Sequence, residues 1–433
     1  MATSLRLAAT AGSTSRIIAT KSTFRQFSTS SRRTMALPKL PKDMTVNYTT
    51  PKDPYLLSEK VKHIVGKGEV DNAAALVLKS PIRIQSQASW NQVIEGYGRQ
   101  GKFRRAWRAF IEMKRRGFNP NSHTFTVLLD ACSYSRSSSA VDTAQEVYSS
   151  IDQSLEGGPQ ITHANSLLKV YSVHDNLELM ESTYKRLPRH GPAATDLYTY
   201  TIMIDTYRRR LLAQLKGATV RPKGGERDSA ARGRQAMQQS VSEAITRTTQ
   251  EASPVAMFER VLEVWSDYAN DAHRRFKLHS LGKETDTPLL ALDAKIVNSI
   301  LVACEAIIRP PKYRSLGRKG FAVIEQAYGP LRPAYSRSLG DSTVANATVP
   351  LTVVTVTKDS SYMGKSRTGE KVFDDRTMDL VLALCKHDDK LIRGMRAWDL
   401  LTRTFGPDYV PSVGNYSVYL GLLAQCIAKE KRA

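Results

Sequence analysis

The sequence predicts an all-α fold, an α-solenoid of helix-turn-helix repeats carrying two irregular insertions. Three observations predict it. Apolar residues recur at helical spacing in pairs of short stripes, the pairs restart about every 35 residues, and in the clearest pair, 90–121, glycine or proline stands where each stripe ends. The 433 residues, 41% of them hydrophobic, suffice to bury a sizeable core.

Residues 1–34 come first and stand apart. They carry Arg6, Arg16, Lys21, Arg25, Arg32 and Arg33 among many Ser, Thr and Ala, and no Asp or Glu precedes Asp43. Such a segment can form a basic amphipathic helix but has no continuous apolar core, the pattern of a mitochondrial transit peptide. The stretch Arg25-Gln26-Phe27-Ser28-Thr29-Ser30 resembles the two-step matrix-processing pattern, which places a mature start near Met35. The expected compartment is the mitochondrial matrix. Removing those six charges from the net +22 leaves +16, so the basic character belongs to the body of the chain. It suits a partner with repeated negative charge: RNA, DNA or an anionic membrane surface. No window approaches the ~18 apolar residues that span a bilayer.

A linker at 35–54 leads into a first block of repeats at 55–213. Segments 56–65 and 72–78 form a degenerate opening hairpin, with Asp71 as its candidate N-cap. Residues 90–121 are the clearest unit. Trp90, Val93, Ile94 and Tyr97 make one stripe, Gly101 breaks it, and Phe103, Ala106, Trp107, Phe110 and Met113 make a second that stops at Gly117 and Pro120. The pattern restarts at Phe125, Ala164 and Tyr200, at intervals of 35, 39 and 36. Residues 214–253 are rich in Gly, Arg, Gln, Ser and Thr and too polar to order themselves, so a disordered basic insertion is expected, with a helix near 236–246. Residues 254–329 read as degenerate hairpins, a further first helix starting around Val297-Asn298-Ser299. The second insertion, 330–372, contains TVPLTVVTVT at 348–357, a β-branched run that reads as strand or hairpin. Residues 373–433 close the chain with a repeat around Met378 and Trp398 and a capping helix at 412–428.

Residues 88–121 resemble a pentatricopeptide repeat of the fungal or other eukaryotic mitochondrial type. The residues that carry the resemblance are Trp90-Asn91, Val93-Ile94, Tyr97, Gly101, Ala106, Phe110, Met113, Gly117 and Pro120-Asn121. The tetratricopeptide repeat shares much of this spacing, but it places a small residue where Ile94 stands and usually alanine at Met113, and its proline would come two residues before Pro120. The likeness is fair in the next three repeats and weaker after 290. It implies a right-handed solenoid whose repeats each offer one RNA base two or three side chains. Carried onto this sequence, the reader pairs are Asn91 with Asn121, Thr126 with Gln160, and Asn165 with Asp196, while Thr201 opens a fourth. The family's preferences imply U or C for the first and third pairs and assign no base to the second. Asn91, Thr126, Asn165 and Thr201 equally suit N-caps or first-turn polar groups.

Arg99, Lys102, Arg104, Arg105 and Arg108 cluster in one hairpin, Lys114, Arg115 and Arg116 follow, and Arg208, Arg209 and Arg210 end a first helix. Of these, Arg104, Arg105 and Arg108 are the candidate phosphate contacts, although such runs are also the mark of a solvated face. Cys132, Cys304, Cys385 and Cys426 each end a short apolar run and form no CxxC pair, so buried thiols are expected and no metal site. The histidines have no carboxylate or cysteine at ligand spacing, Asp374-Asp375 and Asp388-Asp389 resemble helix-start and loop acids, and no Walker or Rossmann glycine pattern occurs. The expectation is a protein that is not an enzyme, takes no cofactor and binds single-stranded mitochondrial mRNA or rRNA, with the mitochondrial ribosome or RNA-processing factors as further partners. The alternative is a ribosome-associated scaffold or assembly factor that uses the solenoid for protein contacts.

Overall fold

A computed structural model describes residues 51–135, 137, 139–191, 193–217, 253–282, 287–329, 351, 373–387, 391–404 and 410–430, and every regular element among them is helical. The expected transit peptide and the expected helix at 236–246 lie outside these residues. The chain divides into two compact units, Met1–Tyr97 with Arg104–Asn119, and Gly98–Phe103 with Pro120–Ala433.

The first unit is built from α1 (Pro54–Gly66), α2 (Val70–Lys79), α3 (Gln87–Arg99) and α4 (Phe103–Arg115), with a single 3₁₀ turn at Ile82–Ile84. Pro54 starts α1, where its missing N–H costs nothing, and Leu57, Val61 and Ile64 bury one stripe. Gly68 and Gly101 adopt φ of +84° and +68°, the left-handed conformation that lets each hairpin reverse without a Cβ clash. Asp71 is not the N-cap of α2. That position is Glu69, and Asp71, two residues on, accepts a 2.8 Å hydrogen bond from the Tyr97 hydroxyl and an ion pair from Arg105. A carboxylate in the first turn already faces the helix dipole favourably, which leaves it available to tie α2 to the following hairpin.

The second unit holds α5 (Ser122–Tyr134), α6 (Ser139–Ser154), α7 (Ile161–Val173), α8 (Leu177–Arg186), α9 (Leu197–Gly217), α10 (Pro254–Ser280), α11 (Ala294–Ile308), the one-turn α12 (Arg314–Gly317), α13 (Lys319–Tyr328), α14 (Asp375–His387), α15 (Leu391–Thr404) and α16 (Val413–Glu430). Here α5, α7, α9, α11, α14 and α16 pack one against the next in chain order, while α6, α8, α10, α13 and α15 each lie against the first helix of their own hairpin. That is the solenoid arrangement. The capped starts put the same registers inward throughout. Counting the cap residue as zero, position four is Trp90, Phe125, Ala164, Tyr200, Val297 or Met378, position eight is Ile94, Leu129, Leu168, Ile204, Leu301 or Leu382, and all twelve are buried. Burying each large side chain of this set stabilises by about 1.5–3 kcal/mol. Cys132, Cys304 and Cys385 share position eleven and are buried.

Two readings of the sequence change. The 254–280 helix does not open a hairpin: Ser253 caps it, and α10 returns against α9 with Met257, Phe258, Val261 and Trp265 buried. The polar stretch before it therefore interrupts a hairpin rather than separating two, and α9 runs on to Gly217 because its apolar stripe continues through Leu211. Within the stretch expected to be a strand, Leu351 is described, and it is helical and buried. The rest of that stretch lies outside the described residues.

Candidate nucleic-acid interface

The proposed readers fall at one register, because each stands five residues after the residue that caps its helix, with a reciprocal capping box in α3, α5 and α9. In α5 the Asn121 side chain accepts from the Thr124 N–H at 2.9 Å, and Thr124 Oγ1 accepts from the Asn121 N–H at 3.2 Å. Asp196 with Thr199, Ser86 with Ser89 and Ser412 with Asn415 repeat that exchange, and Asp374 caps Thr377. Gln160 departs from it: its N–H donates to His163 Nδ1 at 3.0 Å, so Nε2 carries the ring proton and donates to the Ser122 carbonyl at 2.9 Å. Burial therefore keeps His163 neutral and pushes its pKa below the ordinary 6.5, outweighing the Ser122 bond.

With the caps fixed, position five is Asn91, Thr126, Asn165 and Thr201. Asn165 and Asp196 come together. Asn165 Nδ2 donates to the two carboxylate oxygens at 3.0 and 3.1 Å, and its Oδ1 accepts from the Thr199 hydroxyl at 2.7 Å. Thr126 and Thr201 are half-buried and donate to carbonyls of their own helices, Ser122 at 3.1 Å and Leu197 at 2.8 Å. Gln160 is exposed and accepts from the Ser122 hydroxyl at 2.8 Å, so it meets Thr126's helix but not Thr126. Asn91 is buried in the first unit and Asn121 is an exposed cap in the second.

Sequence reasoning missed the continuation of this pattern beyond residue 290. Asn298 Nδ2 donates to Asp374 Oδ1 at 3.0 Å, and Asn415 Nδ2 donates to Asp379 at the same register of α14. Burial opposes the charge of Asp374, but the bonds from Asn298 and Thr377 outweigh it and hold the carboxyl below its usual range. The signal was present: an acid five residues before the register position, Asp293 before Asn298 and Asp374 before Asp379, as Asp196 precedes Thr201.

The basic residues divide. Arg104, exposed, and Arg108, half-buried, form no ion pair among the described residues. Arg105 is bound to Asp71 and lies 6.0 Å from the Tyr97 ring, and Arg115 and Arg116 both pair with Glu112. Arg104, Arg105 and Arg108 sit on α4, not on α3 with Asn91. In the second unit Arg208 pairs with Asp205, Arg209 donates to the Ser172 hydroxyl, and Arg210 pairs with Asp175. Each member of the Arg208–210 run thus has a partner within the protein: an acid one turn back for Arg208, and a hydroxyl and an acid about one repeat away for Arg209 and Arg210.

A second polar network, with no sequence forewarning, ties α10 to the segments around 189–195 and 287–291. Arg275 donates to Asp271 Oδ2 at 2.9 Å, to the Thr195 carbonyl at 2.8 Å and to the Pro288 carbonyl at 3.0 Å, while the Tyr200 hydroxyl donates to the same carboxylate at 2.7 Å. Arg275 and Asp271 are 1% and 4% exposed, so this pair is fully desolvated. A cavity of about 440 Å³ between α6, α7 and α8 is lined by Ala164, Leu167 and Tyr171 of α7, a different face from that of Asn165. Among the described residues no group of three or more His, Cys, Asp or Glu is placed to hold a metal, and no helix is long and apolar enough to cross a membrane.

The profile of the pentatricopeptide repeat family matches residues 85–133, which span α3, α4 and nearly all of α5. Residues 85–133 are thus similar to a pentatricopeptide repeat. A pentatricopeptide repeat-containing protein of Arabidopsis thaliana is 33% identical over 96 residues, 22% of this chain and 15% of its own length. Another from the same plant is 44% identical over 54 residues, 12% of this chain and 6% of its own. This chain spans less than a third of the length of the curated relatives it matches. The pentatricopeptide repeat protein PPR10 from maize aligns over 88% of this chain and 54% of its own at 15% identity and a TM-score of 0.29, at which the two do not superpose as wholes. The matched pentatricopeptide segment contains Asn91, Asn121, Thr126 and the arginines of α4.

Proposed function

We propose that this chain binds single-stranded RNA along its first helices without catalysing a reaction, in the mitochondrial matrix, where it acts on mRNA or rRNA in stability, processing or translation. The observation that carries the reading is the fixed register. Position five is Asn91, Thr126, Asn165, Thr201, Asn298 and Asp379 in six hairpins, all short hydrogen-bonding side chains between positions that are apolar and buried. One such group per pentatricopeptide repeat is what base-by-base reading requires. Asp196 turns the Asn165 donor toward itself and Thr199 takes the acceptor, so the cap residue sets the hydrogen-bonding character of its neighbour. The net charge of +22 and the unpaired Arg104 and Arg108 support attraction to phosphate. The acid-free, Arg- and Ser-rich composition of residues 1–34 supports the compartment.

The scaffold reading has its own support: Arg208, Arg209 and Arg210 each already have a partner within the protein. Crosslinking and sequencing of bound RNA in intact mitochondria separates the two, using Thr126→Ala with Thr201→Ala, positions that bond only their own helix. Discrete footprints on one or two transcripts, lost in the double variant, support sequence-specific binding. Diffuse ribosomal RNA signal that the variant leaves unchanged favours the scaffold, and absence from the mitochondrial fraction removes the matrix assignment.

A further inference from the structure

Helix α16 presents a face unlike that of any first helix before it. Positions four and eight, buried in the six preceding first helices, are here Tyr416 and Leu420, exposed to 45% and 61%. Val413, 87% exposed, and Ile427, 54% exposed, continue the same stripe, while Asn415 and Leu422 on the opposite face are buried toward α14. Sixteen residues, Val413 to Ala428, contain no Lys, Arg, Asp or Glu in a chain of net charge +22. A contiguous exposed apolar stripe of this kind marks an interaction surface. This one offers RNA no charge, and its polar groups are the Tyr416 and Ser417 hydroxyls.

From the order of residues along the stripe we infer that α16 pairs antiparallel with α16 of a second copy of this chain. Val413, Ser417, Leu420, Ala424 and Ile427 follow the alternating spacing of four and three that forms a helix–helix seam. Large and small residues alternate along it. In an antiparallel two-fold pair that places Leu420 beside Ala424 of the other copy, Ile427 falls beside Ser417, so Leu420 and Ile427 each meet a small residue twice over, while Val413 lies at the margin of the seam. Tyr416 likewise falls beside Ala428. The surface is self-complementary in size and has no like charges to oppose, which is what an isologous contact demands. The four large side chains expose roughly 400 Å² a side, about 800 Å² for the pair, so the contact belongs with weak, reversible interfaces.

The test is sedimentation velocity of the full chain from about 1 to 100 µM, the range in which an interface of that size shows itself. Wild type is expected to pass from monomer to dimer. Leu420→Lys should abolish the dimer. Ala424→Leu decides the geometry: it adds apolar surface but removes the small residue that receives Leu420, so it should weaken dimerisation at least tenfold. Both sites are exposed, and circular dichroism melts should match wild type. A wild type monomeric throughout, a dimer indifferent to both substitutions, or an Ala424→Leu variant that associates more tightly overturns the proposal. So does a wild type that stays monomeric while binding another protein through this face.

Discussion

Replacing Asn165 with aspartate exchanges a donor for a second carboxylate at the point where Asp196 already presents one. The amide nitrogen stands 3.0 and 3.1 Å from the Asp196 oxygens, and Asn165 is 3% exposed. Two unit charges about 3 Å apart at an effective dielectric constant of about 20 repel by about 5 kcal/mol. The lost bond to a charged acceptor adds roughly 1.5–3 kcal/mol. Relaxation recovers part of this, so Asn165→Asp should destabilise the second unit by about 4–6 kcal/mol near neutral pH, whereas Asn165→Ala, which loses hydrogen bonds without adding charge, should cost about 2–3 kcal/mol. Asp196→Asn added to Asn165→Asp restores a donor–carboxylate pair with the roles exchanged, and asparagine caps a helix as well as aspartate does. The double variant should fall within about 1.5 kcal/mol of wild type. Urea unfolding followed by circular dichroism measures all four species. If the two substitutions add to within about 0.5 kcal/mol, the contact does not form in solution and the cap-to-register ladder is not a structural unit.

Arg105→Ala should destabilise the first unit by about 0.5–1 kcal/mol, the range of an exposed ion pair, while Arg104→Ala leaves the melt unchanged and lowers the salt dependence of RNA binding. Asp271→Asn strands Arg275 in the interior and should cost about 3–5 kcal/mol, read as early proteolysis around 189–195. For His163, whose folded pKa lies below the ordinary 6.5, the stability held above that pH should fall as pH drops through 6.5 toward the folded value, because the unfolded chain then binds a proton the native state refuses. His163→Gln should flatten that decline in a pH series of melts. Burial pushes the Cys132 and Cys304 thiols up to about 12, so neither should react with a thiol reagent at about pH 8 until the chain unfolds.

The paired stripes at Trp90, Phe125, Ala164 and Tyr200 were legible because amphipathic periodicity and capping are local: a helix declares its buried face within two turns, and its start within one. The same locality made Asn91, Thr126, Asn165 and Thr201 identifiable as one register, and the helices at Val297 and Met378 as later first helices, although their own register residues Asn298 and Asp379 were missed. What each polar side chain touches is a different matter. Asp71 read as a cap and binds Arg105 instead, and Arg208–210 read as a phosphate-binding run and meet Asp205, Ser172 and Asp175. The Arg275–Asp271 pair left no mark in the sequence, since an arginine four residues after an aspartate on a helix is ordinary on any surface, and only the buried Thr195 and Tyr200 and the Pro288 carbonyl brought around it make it a core feature. The return of α10 onto α9 was likewise invisible, because the intervening polar stretch has no period to follow. The sequence by itself determined where helices begin, which faces they bury and which residues share a register. The tertiary structure decided which charge pairs are buried, which amides are held by the next cap and which apolar stripe is left exposed on α16, because those depend on surroundings drawn from distant parts of the chain, brought near only when the hairpins stack.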